Sequence, residues 1–399
     1  MGKIKPNGKK ERIKEKKRNL SAGCNLHKSS KLYVTPEVLL AQAAESLQLG
    51  DAEVALPLAK RALEAFDDGS INSLPALNLC GEIHIELGDI DSARNCFRKA
   101  ILIDDKGAIS EENGGGSEKF LWLAQISEEG GHDSVHWYEK GALILRKQIQ
   151  TLIDNVPKTK GEQEQNTELV EKKRKLAGAL CSIVEVYMTD LSWEENAEQK
   201  CEALVTEATL VSPECAEPWQ TLANVRLSQN RVDDARAALK RSLDLWKDLP
   251  SQDPNVPEYP TRVSLARLLM EAGMDSDSIE VLENLVAEDD SSVEVWYLGG
   301  WCFFIVGEKQ RNNDEVSSEN NEKIGWRKTW IISRQWLKQA LVLFQQQLYE
   351  DERLGEHARE LMVILNSQLG DDATDEKEDD ADEWSDLEGS EEDEVMEDA

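Results

Sequence analysis

Along LPALNLCGEIHIELGDIDSARNCFRKAILIDD, residues 74–105, small and large apolar positions recur at intervals of three and four. Leu77, Gly81 and His84 fall on one face of a helix, and Ala93, Phe97 and Ala100 on one face of a second. Between them Gly88 suits a left-handed helix end and Asp89 suits the cap of the next helix, so the stretch predicts helix, turn, helix. The same spacing returns in Leu39, Ala43, Gly50, Ala55, Ala59 and Ala62. It returns again in Trp219, Leu222, Ala223, Ala235 and Leu239, and in Trp296, Gly299, Gly300, Phe303 and Gly307. Seven such frames are predicted, starting near Pro36, Leu74, Ser117, Ala177, Ala216, Tyr259 and Val293.

Small residues at the eighth and twentieth positions of a frame let two helices approach closely, while large ones at positions four, eleven and twenty-four fill the gaps. On these residues the chain resembles the tetratricopeptide-repeat (TPR) family, which implies an all-α solenoid of about seven helix pairs. Two polar stretches interrupt the frame, near 151–171 and 309–325, and read as mobile loops. After the second, WRKTWIISRQWLKQALVLFQQQL restores the missing helix, and ERLGEHARELMVILNSQLG reads as a terminal helix that covers the last apolar face. The TPR array is expected to run over 32–369.

Charge divides the chain into three. Residues 1–31 hold eleven Lys/Arg against two Glu, a basic segment expected to be disordered. Residues 370–399 hold seventeen Asp/Glu against one Lys and form an acidic tail, also expected to be disordered. The whole chain carries a net charge of −32, so the part between the tails is itself strongly acidic. Such a surface disfavours direct contact with nucleic acid, which demands Lys and Arg against phosphate, and favours a basic protein partner. No run of about 18 apolar residues offers a membrane span, and no apolar leader opens the chain, so a soluble intracellular protein is expected. Seven cysteines without a CxxC pair fit free thiols in a reducing compartment.

No reaction is suggested. His84, between Glu82 and Glu86, occupies a packing position of its frame, which accounts for it without catalysis. His132 and His136 have the i, i+4 spacing of metal ligands but no third partner at a recognisable distance. The glycines at 114–116 lack a following GK[ST], and Gly299 and Gly300 lie within a helix. The expectation is a protein that is not an enzyme and holds neither cofactor nor metal.

In TPR proteins, positions 2, 5, 9, 12 and 13 of each first helix line a concave groove. The thirty-five residues at those places here include ten acidic ones and a single basic one, Arg267. From them Glu82, Glu86, Glu128, Glu129 and Glu185 are candidates to neutralise a Lys/Arg-rich partner. Tyr297, Trp301 and Phe304 are candidates to anchor an apolar residue, although packing against the terminal helix is the reading that aromatic residues at helical spacing favour. The Lys, Arg and Asn clamp by which some TPR proteins grip a C-terminal carboxylate is missing, since those places hold Leu40, Ala44 and Asn78. A TPR array with basic N-terminus, acidic groove and acidic tail resembles the dedicated assembly chaperones of large-subunit ribosomal protein four. That resemblance implies a monomer that captures and shields this basic client and escorts it between cytoplasm and nucleus to ribosome assembly. A TPR scaffold or adaptor in a nuclear transcription or RNA-processing complex remains open.

Overall fold

A computed structural model describes residues 34–66, 69–154, 162–316 and 325–370. Within them are fifteen α-helices and no strand, divided between two compact units that meet at the Gly115–Gly116 boundary. The basic segment 1–31 and the acidic residues 371–399 lie outside the described residues.

The first unit holds α1 (Pro36–Gln48), α2 (Ala52–Ala65), α3 (Leu74–Glu86) and α4 (Ile90–Ile103), packed as the pairs α1/α2 and α3/α4. Each pair turns where the sequence places Gly-Asp. Gly88 adopts φ 74°, a conformation that a side chain resists, and the Asp89 carboxylate accepts a hydrogen bond from Ser92 N to cap α4. Close approach of α3 and α4 depends on Gly81, where a Cβ would stand 2.5 Å from the buried Phe97 ring. Ala43, Ala55, Ala59, Cys80 and Ile83 form one core, and Leu74, Leu77 and Ala100 another.

The second unit begins with α5 (Glu118–Gln125), α6 (Gly131–Asp154), α7 (Glu162–Met188) and α8 (Ala197–Val211). It continues with α9 (Ala216–Ser228), α10 (Val232–Asp244), α11 (Tyr259–Glu271) and α12 (Asp275–Glu288). Next come α13 (Val293–Val316), α14 (Gly325–Gln347) and α15 (Glu352–Leu369). They pair in sequence, α5/α6 to α13/α14, and α15 covers the last pair. The apolar face that this terminal helix closes is Phe304, Trp330, Leu337, Ala358, Leu361, Leu365 and Leu369. A larger core, centred on Leu239, Leu265, Ala266, Leu269, Leu282, Leu285 and Val295, joins α9 to α13.

Six frame starts fall within one residue of a helix start; the fourth does not. α7 opens at Glu162 instead of near Ala177, and α6 continues to Asp154, so residues 151–154 and 162–171 are helical where a loop was expected. Glu, Gln, Lys and Arg are strong helix formers, and α7 ties its polar turns down by ion pairs. Lys175 Nζ meets Glu118 Oε1 at 2.6 Å and Glu171 Oε1 at 3.2 Å. The second interruption is shortened in the same way, because α13 continues through Val316 and α14 starts at Gly325. Residues 155–161 and 317–324 lie outside the described residues.

Candidate functional site

In the first unit, Glu82 is half-buried on α3 and Glu86 is exposed at its end. His84 between them is buried, its Nδ1 3.2 Å from Asp89 Oδ2. Burial, and next the charge of Lys60, hold the imidazole below its ordinary value, while Asp89 acts against them. The ring is thus a packed neutral base at the helix turn, with the glutamates on the outer side.

Three candidates on the second unit do not face a groove. Glu128 and Glu129 are not helical groove residues: α5 has only eight residues and ends at Gln125, so both stand exposed in the loop that follows. The loop is fixed by Ser127, whose hydroxyl donates to Asp133 Oδ2 at 2.6 Å and accepts from Gly130 N at 3.2 Å. Phe304 is not available to a partner either. It is 6% exposed, and its ring stacks on Trp330 at 5.4 Å with 1° between the planes. A position twelve places along a first helix faces the groove only where no further helix covers it, and here α15 does.

The second unit's other candidates, Glu185, Tyr297 and Trp301, line two cavities on either side of α11. The first, about 590 Å³, is walled by α7, α9 and α11. Glu185 and Glu217 supply its negative charge, with Ser182, Gln220, Thr221 and Asn224 around them. Glu185 keeps contact with solvent, yet the enclosing walls, and then the neighbouring charge of Glu217, push its carboxyl above the ordinary value. A cation placed beside the two carboxylates would offset their repulsion and favour the ionised form. Cys181 lines the same cavity, and burial raises its thiol to about 12, so it is no nucleophile near neutrality.

The second cavity, about 700 Å³, lies between α11, α13 and the start of α15. Tyr297, Trp301, Met270 and Ile305 give it an apolar wall, with Arg267 and Glu271 on one side and Asp351 and Arg353 on another. The aromatic pair is held from behind. Tyr297 Oη lies 2.8 Å from His357 Nδ1, and the His357 ring meets Trp301 edge-on at 5.2 Å. Tyr297 and Trp301 are themselves 5.9 Å apart. Arg267, the residue common to both cavities, is neutralised by Glu294 at 2.6 Å. Glu217 was legible at the second position of its frame. His357 and Arg353 were not, because they belong to the terminal helix, to which no frame applies.

His132 Nε2 lies 2.9 Å from Glu194 Oε1, and among the described residues no three potential ligands gather into a metal cluster. Among the same residues no helix is long and apolar enough to cross a membrane.

Paired helices in this register, with cavities along their first members, define a tetratricopeptide-repeat protein, and a tetratricopeptide-repeat family model matches residues 74–106, the α3/α4 pair. A relative from Emericella nidulans, called "Probable assembly chaperone of rpl4", is 46% identical over 379 residues, covering 94% of this chain and 93% of the relative. One of the same name from Schizosaccharomyces pombe is 34% identical over 365 residues, covering 90% and 99%. The solved structure of "Assembly Chaperone of RpL4 (Acl4)" matches with a TM-score of 0.65 at 54% identity, covering 70% of this chain and all of that structure. The chain belongs to the family of assembly chaperones of rpl4.

Proposed function

We propose that this protein is a dedicated, non-catalytic chaperone of large-subunit ribosomal protein four, which it captures, shields and escorts to ribosome assembly in the nucleus. Family membership over nearly the whole chain carries the reading. The chemistry of the second unit agrees with it, because a nascent ribosomal protein presents Lys and Arg together with apolar residues that its ribosomal RNA has not yet covered. Glu185 and Glu217 suit the cationic side chains. Tyr297 and Trp301 suit an apolar body, or the face of an arginine. Glu82 and Glu86 add negative charge on the first unit. The protein acts as a monomer and makes no contact with nucleic acid.

The test is titration calorimetry of the purified chain with ribosomal protein four at two salt concentrations. Tight binding that weakens severalfold between about 0.1 M and 0.5 M salt is expected for client capture by an acidic surface. Glu82→Lys with Glu86→Lys should weaken it further while far-UV circular dichroism stays unchanged. No binding, or binding indifferent to salt and to both substitutions, would favour a scaffold for a neutral peptide instead.

A further inference from the structure

The cavities account for acidic first helices, but one second helix has the opposite character. α14 carries Arg327, Lys328, Arg334 and Lys338 and is the only α-helix among the described residues with no Asp or Glu. Its inner side is spent on Trp330, Ser333, Leu337, Ala340 and Phe344, which are buried. Lys328, Ile332, Gln335, Lys338 and Val342 are all exposed at spacings of three and four, so they form one outward stripe. Arg327, also exposed, lies over the Trp326 ring at 5.2 Å. Among the described residues, neither Arg327 nor Lys328 has a carboxylate partner. An exposed basic pair without a carboxylate partner, at the head of a partly apolar outward stripe, is out of keeping with a chain of net charge −32.

The chain itself leads to the occupant. α15 ends at Leu369, which shares one apolar cluster with Trp326 and Trp330 from the first turns of α14. The polypeptide therefore leaves the described structure beside Arg327 and Lys328. Its next ten residues, 371–380, bring seven carboxylates and one lysine. Arg327 to Lys338 spans roughly 16 Å of helix, which about five extended residues can follow. The unpaired amides at the N-terminal end of α14 add positive potential where those carboxylates arrive. We propose that residues 371–380 of the acidic tail dock on the outward face of α14. The clasp covers this acid-free helix, so that this end of the second unit presents negative charge to its surroundings. This inference does not depend on the client, because it concerns the chain alone.

Zero-length carbodiimide coupling of the full-length chain at low salt, read by peptide mass spectrometry, tests it. An equal mixture of light and 15N-labelled chains separates links within one chain from links between two. Expected are intrachain links from carboxylates in 371–380 to Lys328, absent in 1 M salt and reduced roughly fivefold by Arg327→Glu, an exposed change that leaves the lysine in place. Exposed Lys240 on α10 serves as the reactivity control and should stay unlinked to the tail. The proposal is overturned if the tail couples mainly to lysines of residues 1–31, if links join light to heavy chains, or if Lys328 reacts no more than Lys240.

Discussion

The two cavities beside α11 share Arg267 and differ in nearly everything else. Between α7 and α11, two carboxylates stand among hydroxyl and amide groups, a wall that a hydrated cation can enter without losing hydrogen bonds. Between α11 and α15, an aromatic pair braced by His357 offers apolar area, and the charges beside it are balanced, Arg267 and Arg353 against Glu271 and Asp351. Identical helix pairing therefore supports two kinds of recognition, because the positions facing inward are set by the frame and their chemistry is free to vary. Attraction in the first should respond to salt, and burial in the second should not.

The sharpest break in the comparison lies within the aromatic side, between neighbours one turn apart. Phe304 is stacked under Trp330, whose indole N–H donates to Phe304 O at 3.1 Å, so Phe304→Ala should cost about 3–5 kcal/mol of stability, seen as a lowered denaturation midpoint. Trp301 touches that core only from its partly buried rim, so Trp301→Ala removes less of it. This change should lower the midpoint clearly less than Phe304→Ala does, yet weaken client binding roughly tenfold or more, as loss of an aromatic anchor does. Equal destabilisation by the two changes would mean that Trp301 is core as well.

On the acidic side, Glu185→Lys with Glu217→Lys should weaken client binding roughly tenfold at low salt and flatten its salt dependence. Trp301→Ala should leave the salt slope where it was. Titration calorimetry of both variants at matched salt separates the cavities, and identical slopes would dissolve the distinction.

Much of this was open to sequence reading because each frame position has a fixed direction. Gly81 against Phe97, and the turns at Gly50 and Gly88, follow from spacing and turn chemistry alone. Three features escaped for physical reasons. The polar start of α7 carries no apolar periodicity and reads as a loop, although its residues favour helix and its lysine finds partners on α5 and on its own preceding turn. The third frame stops early because the Ser127–Asp133 bond and Gly130 close α5 after two turns, which displaces Glu128 and Glu129. Phe304 occupies a groove position by count, but a terminal helix outside the repeat lies over it.

The smallest expected effect bears on what the acidic cavity costs the fold. Glu185 has its folded value raised above 4.5 by enclosure first and by Glu217 second. For a raised carboxyl the folded state holds its proton more tightly than the unfolded chain. The stability this confers is present below the unfolded value and is lost as pH rises through the folded one. Near neutrality the ionised Glu185 therefore works against the fold. Glu185→Gln should melt roughly 1 °C above the parent at pH 7, a gap that closes as pH falls toward 4.5, while binding the client more weakly. Thermal scans across that range measure it. A variant that melts lower at pH 7 would mean that the carboxylate is satisfied within the fold, and the acidic cavity would lose its reason to seek a cation.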